Sequence, residues 1–209
     1  MTRQHYLFLG DSITDAGHLW ESDPRMLGDG FIRRISEHPA FSEAQLVNRG
    51  QDGFTGAALL RLVKRMTDLS SFDAITVLIG VNDLPVAYHA DPDWIIHSFA
   101  QNMEALFALL LSAKIPAIFV MEPFLFTPPD SHQNLMPFLL QEHQILKELC
   151  SRLGLDYIPL QDDLSRAVSQ NGSTFVTVDG IHPATGGCQL LANAWIHHCL
   201  RTFPPASGV

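Results

Sequence analysis

The stretch FLGDSITDAG, residues 8–17, places Asp11 and Ser12 where an apolar run that begins at Tyr6 comes to an end. The run is too short for a helix and does not alternate with polar residues, which is typical of a strand buried on both faces. Ser12 could cap a short helix, bind a phosphate group or act as a nucleophile. The remaining sequence has to decide among these roles.

Further apolar, β-rich runs follow the first one. They are QLVN from Gln45, AITVLIG from Ala74, IPAIFVM from Ile115 and LDYIPL from Leu155. Apolar residues at helical spacing lie between them, over residues 59–66, 95–110 and 135–153. A last helix is predicted to begin at Pro183, because the fixed φ of proline suits the first helical position. This alternation of strand and helix predicts an α/β fold with a parallel sheet.

Composition and charge narrow the class of protein. The 209 residues are 46% hydrophobic, enough for a sizeable core, and we expect one domain over residues 1–209. A net charge of −9 argues against nucleic acid or an anionic membrane as a partner. The apolar run of residues 6–9 is too short for a signal peptide or a membrane span. We therefore expect a cytoplasmic location.

Polar residues follow the carboxyl ends of the predicted strands, where open parallel sheets bind their ligands. They are Asp11 and Ser12, NRGQDG at residues 48–53 and GVND at residues 80–83, with DGIHP at residues 179–183 near the C-terminus. Each motif alone has an ordinary explanation as a helix cap or a turn. Together they supply a hydroxyl nucleophile, a base, an orienting carboxylate and neutral donors for an oxyanion. Acyl transfer requires this combination.

The spacing of Asp179 and His182 suits a catalytic pair. Because His182 lies three positions after Asp179, one turn can bring the carboxylate to Nδ1 of the imidazole and leave Nε2 free to face a hydroxyl. We expect the other histidines to lie on the surface or in the core. His18 stands out among them because it is close to Ser12 in the sequence.

These residues resemble the motifs of the SGNH hydrolases, also called GDSL-like esterases and lipases. The similarity runs in family order through residues 10–13, 48–53, 80–83 and 179–183, and so covers nearly the whole chain. It implies a three-layer α/β/α sandwich of flavodoxin-like type around a five-stranded parallel sheet. It also implies that Ser12 is the nucleophile, that His182 is the general base and that Asp179 orients it.

The same resemblance implies an oxyanion hole. Its donors would be the backbone N–H groups of Ser12 and Gly53 and the side-chain amide of Asn82. Gly50 is the alternative to Gly53, which we prefer because it has the usual offset from the asparagine of its motif. The two residues before Gly53, Gln51 and Asp52, depart from the small and hydrophobic residues expected there. No metal and no cofactor is implied, since a serine nucleophile needs neither.

A narrower similarity concerns the substrate. GDSITDAG, GDGF at residues 28–31 and the Pro-rich segment of residues 121–134 are similar to the branch with carbohydrate acetylesterases, such as acetylxylan esterases. This implies that the partner is a small-molecule substrate, namely an ester of a short acyl group and specifically of acetate. An acetylated sugar is the candidate substrate. The residues expected to bind substrate are Asp11, His18, Trp20, Glu122 and Phe124.

Three alternatives stay open at this point. A lysophospholipase or thioesterase of the same family would bind a long apolar acyl chain, in a pocket that Phe124, Leu125 and Phe126 could line. A flavodoxin-like phosphate- or flavin-binding module would leave DGIHP without a role and would place aspartates around the anion. A metal-dependent hydrolase could gather the acidic motif residues around a cation, but the sequence has no HExxH motif.

Overall fold

The structure is a computed structural model that describes residues 4–23, 25–90, 93 and 95–204. The ends of the domain predicted over residues 1–209 thus lie outside the described residues. The described strands are β1 (His5–Gly10), β2 (Gln45–Gly50), β3 (Ala74–Leu78), β4 (Ala117–Met121) and β5 (Asp156–Ile158). They form a parallel sheet in the order β2-β1-β3-β4-β5.

Helices connect the strands. The α-helices are α1 (Ser12–Asp15), α2 (Phe31–Ser36), α3 (Gly56–Val63), α4 (Asp83–His89), α5 (Ala100–Ser112), α6 (Met136–Leu153), α7 (Gln161–Asn171), α8 (Ser173–Val176) and α9 (Thr185–Thr202). Short 3-10 helices span His18–Trp20, Pro39–Phe41, Leu69–Ser71 and Asp130–Leu135, and a π-helical segment, Ile95–Phe99, precedes α5. The side chains of Ile95 and Ile96, part of the predicted helical pattern, lie outside the described residues. None of the described helices is both long and apolar enough to cross a membrane.

The interior strand β1 explains why helices cover both faces of the sheet. Tyr6 and Phe8 lie in one core with residues of α2, α7 and α9, whereas Leu7 and Leu9 lie in a second core with residues of α3, α5 and α6. Successive side chains of a strand point to opposite faces, so a strand that is apolar throughout must be covered on both. The three-layer α/β/α sandwich with a five-stranded parallel sheet, predicted from the sequence, is confirmed.

Trp195 anchors α9 to the sheet. Its indole is fully buried and packs against the rings of Tyr6, Phe8 and Phe119 at centroid distances of 5.3–5.8 Å. Its Nε1 donates a hydrogen bond to Oγ1 of Thr76 on β3 over 2.8 Å, so the polar atoms of both buried side chains are satisfied. This contact fixes the position of α9 and of the segment that leads into it.

The predicted start of the last helix is wrong by two residues. α9 begins at Thr185, because Pro183 instead pairs with Thr177 in an antiparallel bridge. The N–H of Val178 donates to the carbonyl of His182 over 2.9 Å, which closes the same narrow loop. The predicted catalytic pair, Asp179 and His182, therefore lies in a loop that these two contacts hold in place, before α9 begins.

Candidate active site

The loops at the carboxyl ends of β1, β2 and β3 meet the 177–184 loop in one cleft of about 480 Å³. The cleft is lined by Ser12, Asp15, Ala16, Gly17, Trp20, Asp52, Gly53, Asn82 and His182. This is the edge at which open parallel sheets bind their ligands. Residues from all four sequence motifs thus converge at or beside one site.

Asp11, not Ser12, caps the helix that begins after β1. Oδ1 of Asp11 accepts a hydrogen bond from the N–H of Ile13 over 2.9 Å, and the side chain is buried. Burial raises the pKa of Asp11 to about 7. The cap leaves the hydroxyl of Ser12 free for chemistry. The prediction that Asp11 binds substrate is wrong, because its carboxyl points into the protein beneath the cleft.

Ser12, His182 and Asp179 form a continuous line of hydrogen bonds. Oγ of Ser12 lies 2.9 Å from Nε2 of His182, and Nδ1 of His182 lies 2.6 Å from Oδ2 of Asp179. The other oxygen of Asp179 accepts from the N–H groups of Ile181 and His182, over 2.9 and 2.7 Å. An imidazole whose Nδ1–H donates a hydrogen bond to the carboxylate has Nε2 free to take a proton from the serine.

The electrostatics of Asp179 favour its charged form. Partial burial alone would raise the pKa of this carboxyl, but the hydrogen bonds from the His182 ring and from two backbone N–H groups outweigh it and lower the pKa. Asp179 is therefore ionised at neutral pH and holds the imidazole in one orientation.

Asn82 faces the cleft because its side chain is tied to a neighbouring loop. It occupies the residue before α4 but makes no cap; its Nδ2 donates to the carbonyl of Phe54 over 3.0 Å. A primary amide has two N–H donors, so one remains for a ligand. The adjacent Asp83 is buried, and its Oδ2 accepts from the N–H of Gly56 at the start of α3 over 2.9 Å. These two bonds hold the loops after β2 and β3 against each other.

The choice between Gly50 and Gly53 follows from their hydrogen bonds. The N–H of Gly50 already donates to Oδ1 of Asn48 over 2.9 Å, and a Cβ on Gly50 would lie 2.2 Å from the backbone N of Asp15. Gly53 lines the cleft, and its N–H makes no hydrogen bond to another described residue. Its φ of +70° also suits glycine. The placement favours Gly53 as the donor.

The sequence profile of the GDSL-like Lipase/Acylhydrolase family matches residues 8–190. The chain belongs to this family. The match covers all four motifs that meet at the cleft, and the protein is accordingly a carboxylic ester hydrolase. None of the curated proteins matches the sequence significantly.

Solved structures share the fold of this GDSL-like hydrolase. A GDSL-like lipase from Parabacteroides merdae is 24% identical, with a TM-score of 0.80 over 94% of this chain and 95% of that one. An α/β hydrolase, LAE5, from the metagenome of Lake Arreo is 21% identical, with a TM-score of 0.79 over 93% and 94%. The acetylxylan esterase Axe2 from Geobacillus stearothermophilus is 21% identical, with a TM-score of 0.76 over 99% and 97%. At such identities the similarity shows the fold.

A second carboxylate–imidazole pair supports one wall of the cleft in this GDSL-like hydrolase. Nδ1 of His18 lies against Oδ1 of Asp15, and both side chains are buried. The Asp15 carboxylate also accepts from the N–H groups of Gly17 and Leu19, over 3.1 and 3.2 Å. This pair was not predicted, although its spacing equals that of Asp179 and His182. His18 therefore supports the turn from beneath, and its predicted contact with substrate is wrong.

Trp20 and Asp52 are the exposed side chains of the cleft rim. Trp20 ends the 3-10 turn, lines the cleft and is 84% exposed, and its contact with substrate stays a prediction. Asp52 faces Asp15; partial burial and the Asp15 charge raise the pKa of the Asp52 carboxyl. From the sequence, Asp52 was noted only as a departure from the family pattern, and its place at the cleft is a finding of the structure.

Glu122 and Phe124 do not reach the cleft, so their predicted contact with substrate is wrong. The Glu122 carboxylate is buried and accepts hydrogen bonds from the hydroxyl of Tyr157 and from the N–H groups of Leu160 and Gln161. Phe124 is fully buried in the core. The segment after β4 turns inward because its apolar side chains gain more from burial than from exposure at a pocket.

The acidic residues of the motifs do not converge as metal ligands. Asp11 caps α1, Asp15 binds His18, Asp83 accepts from Gly56, and Asp179 binds the imidazole of His182. Within the described ranges, no three side chains of His, Cys, Asp or Glu form a group that could hold a metal ion.

Proposed function

We propose that this protein is a serine esterase that removes acetyl groups from a carbohydrate through an acyl-enzyme on Ser12. The observation that carries the proposal is the hydrogen-bonded line from Ser12 through His182 to Asp179, in a cleft that also contains Gly53 and Asn82. Nucleophile, base, orienting carboxylate and oxyanion donors are thereby within reach of one reacting carbonyl.

Acylation begins when Oγ of Ser12 attacks the carbonyl carbon of the ester and Nε2 of His182 takes the hydroxyl proton. The carbonyl oxygen becomes an oxyanion, which accepts hydrogen bonds from the N–H groups of Ser12 and Gly53 and from the Asn82 amide. When the tetrahedral intermediate collapses, the alcohol leaves with the proton that His182 carries. Ser12 is left acylated.

Deacylation repeats these roles with water. His182 takes a proton from a water molecule that attacks the acyl carbon, and the same donors stabilise the second oxyanion. Collapse returns the proton from His182 to Oγ of Ser12 and releases the carboxylic acid. Asp179 remains charged throughout and stabilises the imidazolium in both halves.

The lining of the cleft supports a short acyl group. Among the described residues that line the cleft, Ala16 has the only aliphatic side chain, and the others are polar, aromatic or glycine. A long acyl chain needs an extended apolar surface, since each buried methylene contributes about 0.8 kcal/mol. The lysophospholipase and thioesterase alternatives lack that support here, because Phe124, Leu125 and Phe126 are buried in the core.

The rim of the cleft supports a neutral sugar as the alcohol. The exposed indole of Trp20 offers a flat surface for a sugar face. The exposed carboxyl of Asp52 can accept hydrogen bonds from hydroxyls, and the acidic side chains of Asp52 and the buried Asp15 disfavour the phosphate groups of phospholipids and coenzyme A. The acetylxylan esterase among the structures of the same fold agrees with this choice.

The proposal is tested by steady-state kinetics on a panel of esters. We expect kcat/KM to fall steeply from acetyl to octanoyl esters of p-nitrophenol, and acetate to be released from acetylated xylosides or glucosides. Trp20→Ala is expected to raise KM for the acetylated sugar while ethyl acetate hydrolysis is little changed. Tyr88→Ala, an exposed aromatic residue outside the cleft lining, is the matched control.

Two results would contradict the acetyl-sugar assignment. Faster turnover of octanoyl esters than of acetyl esters, with no acetate released from sugars, would favour a lipase. Preferred hydrolysis of acyl-coenzyme A would favour a thioesterase and would also contradict the argument from the rim carboxyls.

Asn82→Ala tests the oxyanion hole. We expect kcat to fall by about 10²–10³, the range seen when a serine protease loses one such donor, with a small change in KM. Asn193→Ala removes an exposed amide of α9 away from the cleft and should leave kcat unchanged. An unchanged kcat in folded Asn82→Ala would mean that this amide only ties the two loops together.

A further inference from the structure

A buried carboxylic acid lies behind the loop that carries Asn82. Glu142, on α6, is fully buried, and neither of its carboxyl oxygens has a hydrogen-bond partner among the described residues. Burying an unpaired polar group costs free energy, so such a residue calls for a functional explanation. Neither the hydrogen-bonded line of Ser12 nor the cleft lining includes it.

Glu142 contacts the turn of residues 80–83 at Gly80. A Cβ on Gly80 would lie 2.5 Å from Oε2 of Glu142 and 3.2 Å from Cγ of Pro123, and the φ of Gly80 is +140°. The N–H of Asp83 donates to the carbonyl of Gly80 over 2.7 Å and closes the turn. The carboxyl group thus fills the space behind the turn that presents Asn82.

Burial, more than any neighbouring charge, keeps Glu142 neutral. Together with the charges of Asp83 in α4 and of Asp11, which follows β1, it raises the pKa of Glu142 well above its ordinary value. A protonated carboxyl can lie against backbone and donate one hydrogen, whereas a carboxylate would be repelled by both aspartates.

We propose that Glu142 is a positioning residue for the oxyanion hole, a neutral carboxylic acid that supports the turn of residues 80–83 and thereby the amide of Asn82. The contacts run from Glu142 to Gly80, through the closed turn to Asp83, and from Asp83 to the N–H of Gly56, close to Gly53. The inference rests on the proposed esterase function, because the oxyanion hole is part of that function.

A matched pair of substitutions tests the role. Glu142→Gln keeps the size and the neutrality of the side chain, and we expect kcat within about twofold of wild type. Glu142→Leu keeps the bulk but removes the polar head, and we expect kcat to fall by about 10-fold with KM nearly unchanged, because a displaced donor weakens the transition state alone. A packing role would lower Tm in the leucine variant without lowering kcat, and that result would overturn the proposal.

A double mutant tests whether Glu142 affects kcat through the amide of Asn82. In the Asn82→Ala background the amide is already absent, so Glu142→Leu should lower kcat by less than about twofold there. A loss of about 10-fold in both backgrounds would show that Glu142 acts elsewhere and would overturn the proposal.

Amide hydrogen exchange provides a readout that does not depend on activity. Without substrate, the N–H groups of Gly56 and Asp83 should exchange faster in Glu142→Leu than in wild type, and at the wild-type rate in Glu142→Gln. Equal exchange in all three proteins contradicts the positioning role. If wild type hydrolyses no ester, the proposed function fails, yet the exchange rates still decide whether Glu142 holds the turn.

The glutamine variant covers the case in which Glu142→Leu does not fold. Since the amide preserves size and neutrality, a 10-fold or greater loss of kcat, or faster exchange at Gly56 and Asp83, would mean that the acid acts as a carboxylate and would overturn the proposal. Wild-type kcat and exchange in this variant, combined with failure of the leucine variant to fold, agree with a neutral polar support behind Gly80.

Discussion

Ser12→Ala is expected to abolish ester hydrolysis, with a loss in kcat on the order of 10⁶, the size seen when a serine protease loses its nucleophile. Ser12 carries the only hydroxyl among the described residues that line the cleft, and its Oγ lies 2.9 Å from the base. No other lining residue can form the acyl-enzyme. The activity is measured as initial rates on p-nitrophenyl acetate.

The fold should survive this substitution. The cap of α1 comes from Asp11 rather than from Ser12, and the lost hydrogen bond to His182 is worth only about 1 kcal/mol at a partly exposed site. Ser71→Ala, which removes an exposed hydroxyl bonded to the carbonyl of Asp68, is the matched control and should keep full activity. A folded Ser12→Ala protein with most of its activity would remove Ser12 from the mechanism.

The strands and the motifs at their ends were predictable from the sequence. Apart from Thr76 and Gly80, the run AITVLIG is apolar, and a strand covered on both faces accommodates it, so the sandwich could be predicted from β1 and β3. The hydrogen bond between Asp179 and His182 and the place of Ser12 beside them were predictable, because the first two residues are close in sequence and the serine follows a strand. Local spacing carried this information.

The direction in which a side chain faces was not predictable in the same way. Glu122 and Phe124 follow β4 much as Asp11 and Ser12 follow β1, but their segment packs against the core. Asp11 and Ser12 are neighbours, and the cap geometry alone decides which of them faces the cleft. These outcomes depend on tertiary contacts with distant residues, which spacing along the chain does not contain.

The burial of Glu142 was likewise not predictable from the sequence. In the sequence it is one glutamate of a long amphipathic helix, where a charged residue is ordinarily exposed. Its burial results from the packing of α6 behind Gly80, more than 60 residues earlier in the chain. A residue that acts through a backbone contact of this kind leaves no local motif to recognise.

The charge of Asp179 orients the proposed base. His182 must be neutral to accept the Ser12 proton, with its Nδ1–H directed at the carboxylate. Asp179 has a lowered pKa, because its hydrogen bonds from His182 and Ile181 outweigh partial burial, and so it stays ionised at neutral pH. The carboxylate can then orient the imidazole.

Asp179→Asn is therefore expected to lower kcat by up to about 10⁴, as the equivalent change does in a serine protease, with a small change in KM. The amide oxygen can still accept from the N–H groups of Ile181 and His182, so the loop should keep its shape. The amide nitrogen, however, donates to Nδ1 and leaves the ring proton on Nε2, where it blocks proton transfer from Ser12. Asp163→Asn, at an exposed aspartate of α7 paired with Arg166, is the control that should keep wild-type rates. If Asp179→Asn retained kcat within about threefold, the imidazole would be oriented by other contacts, and Asp179 would only shape the loop.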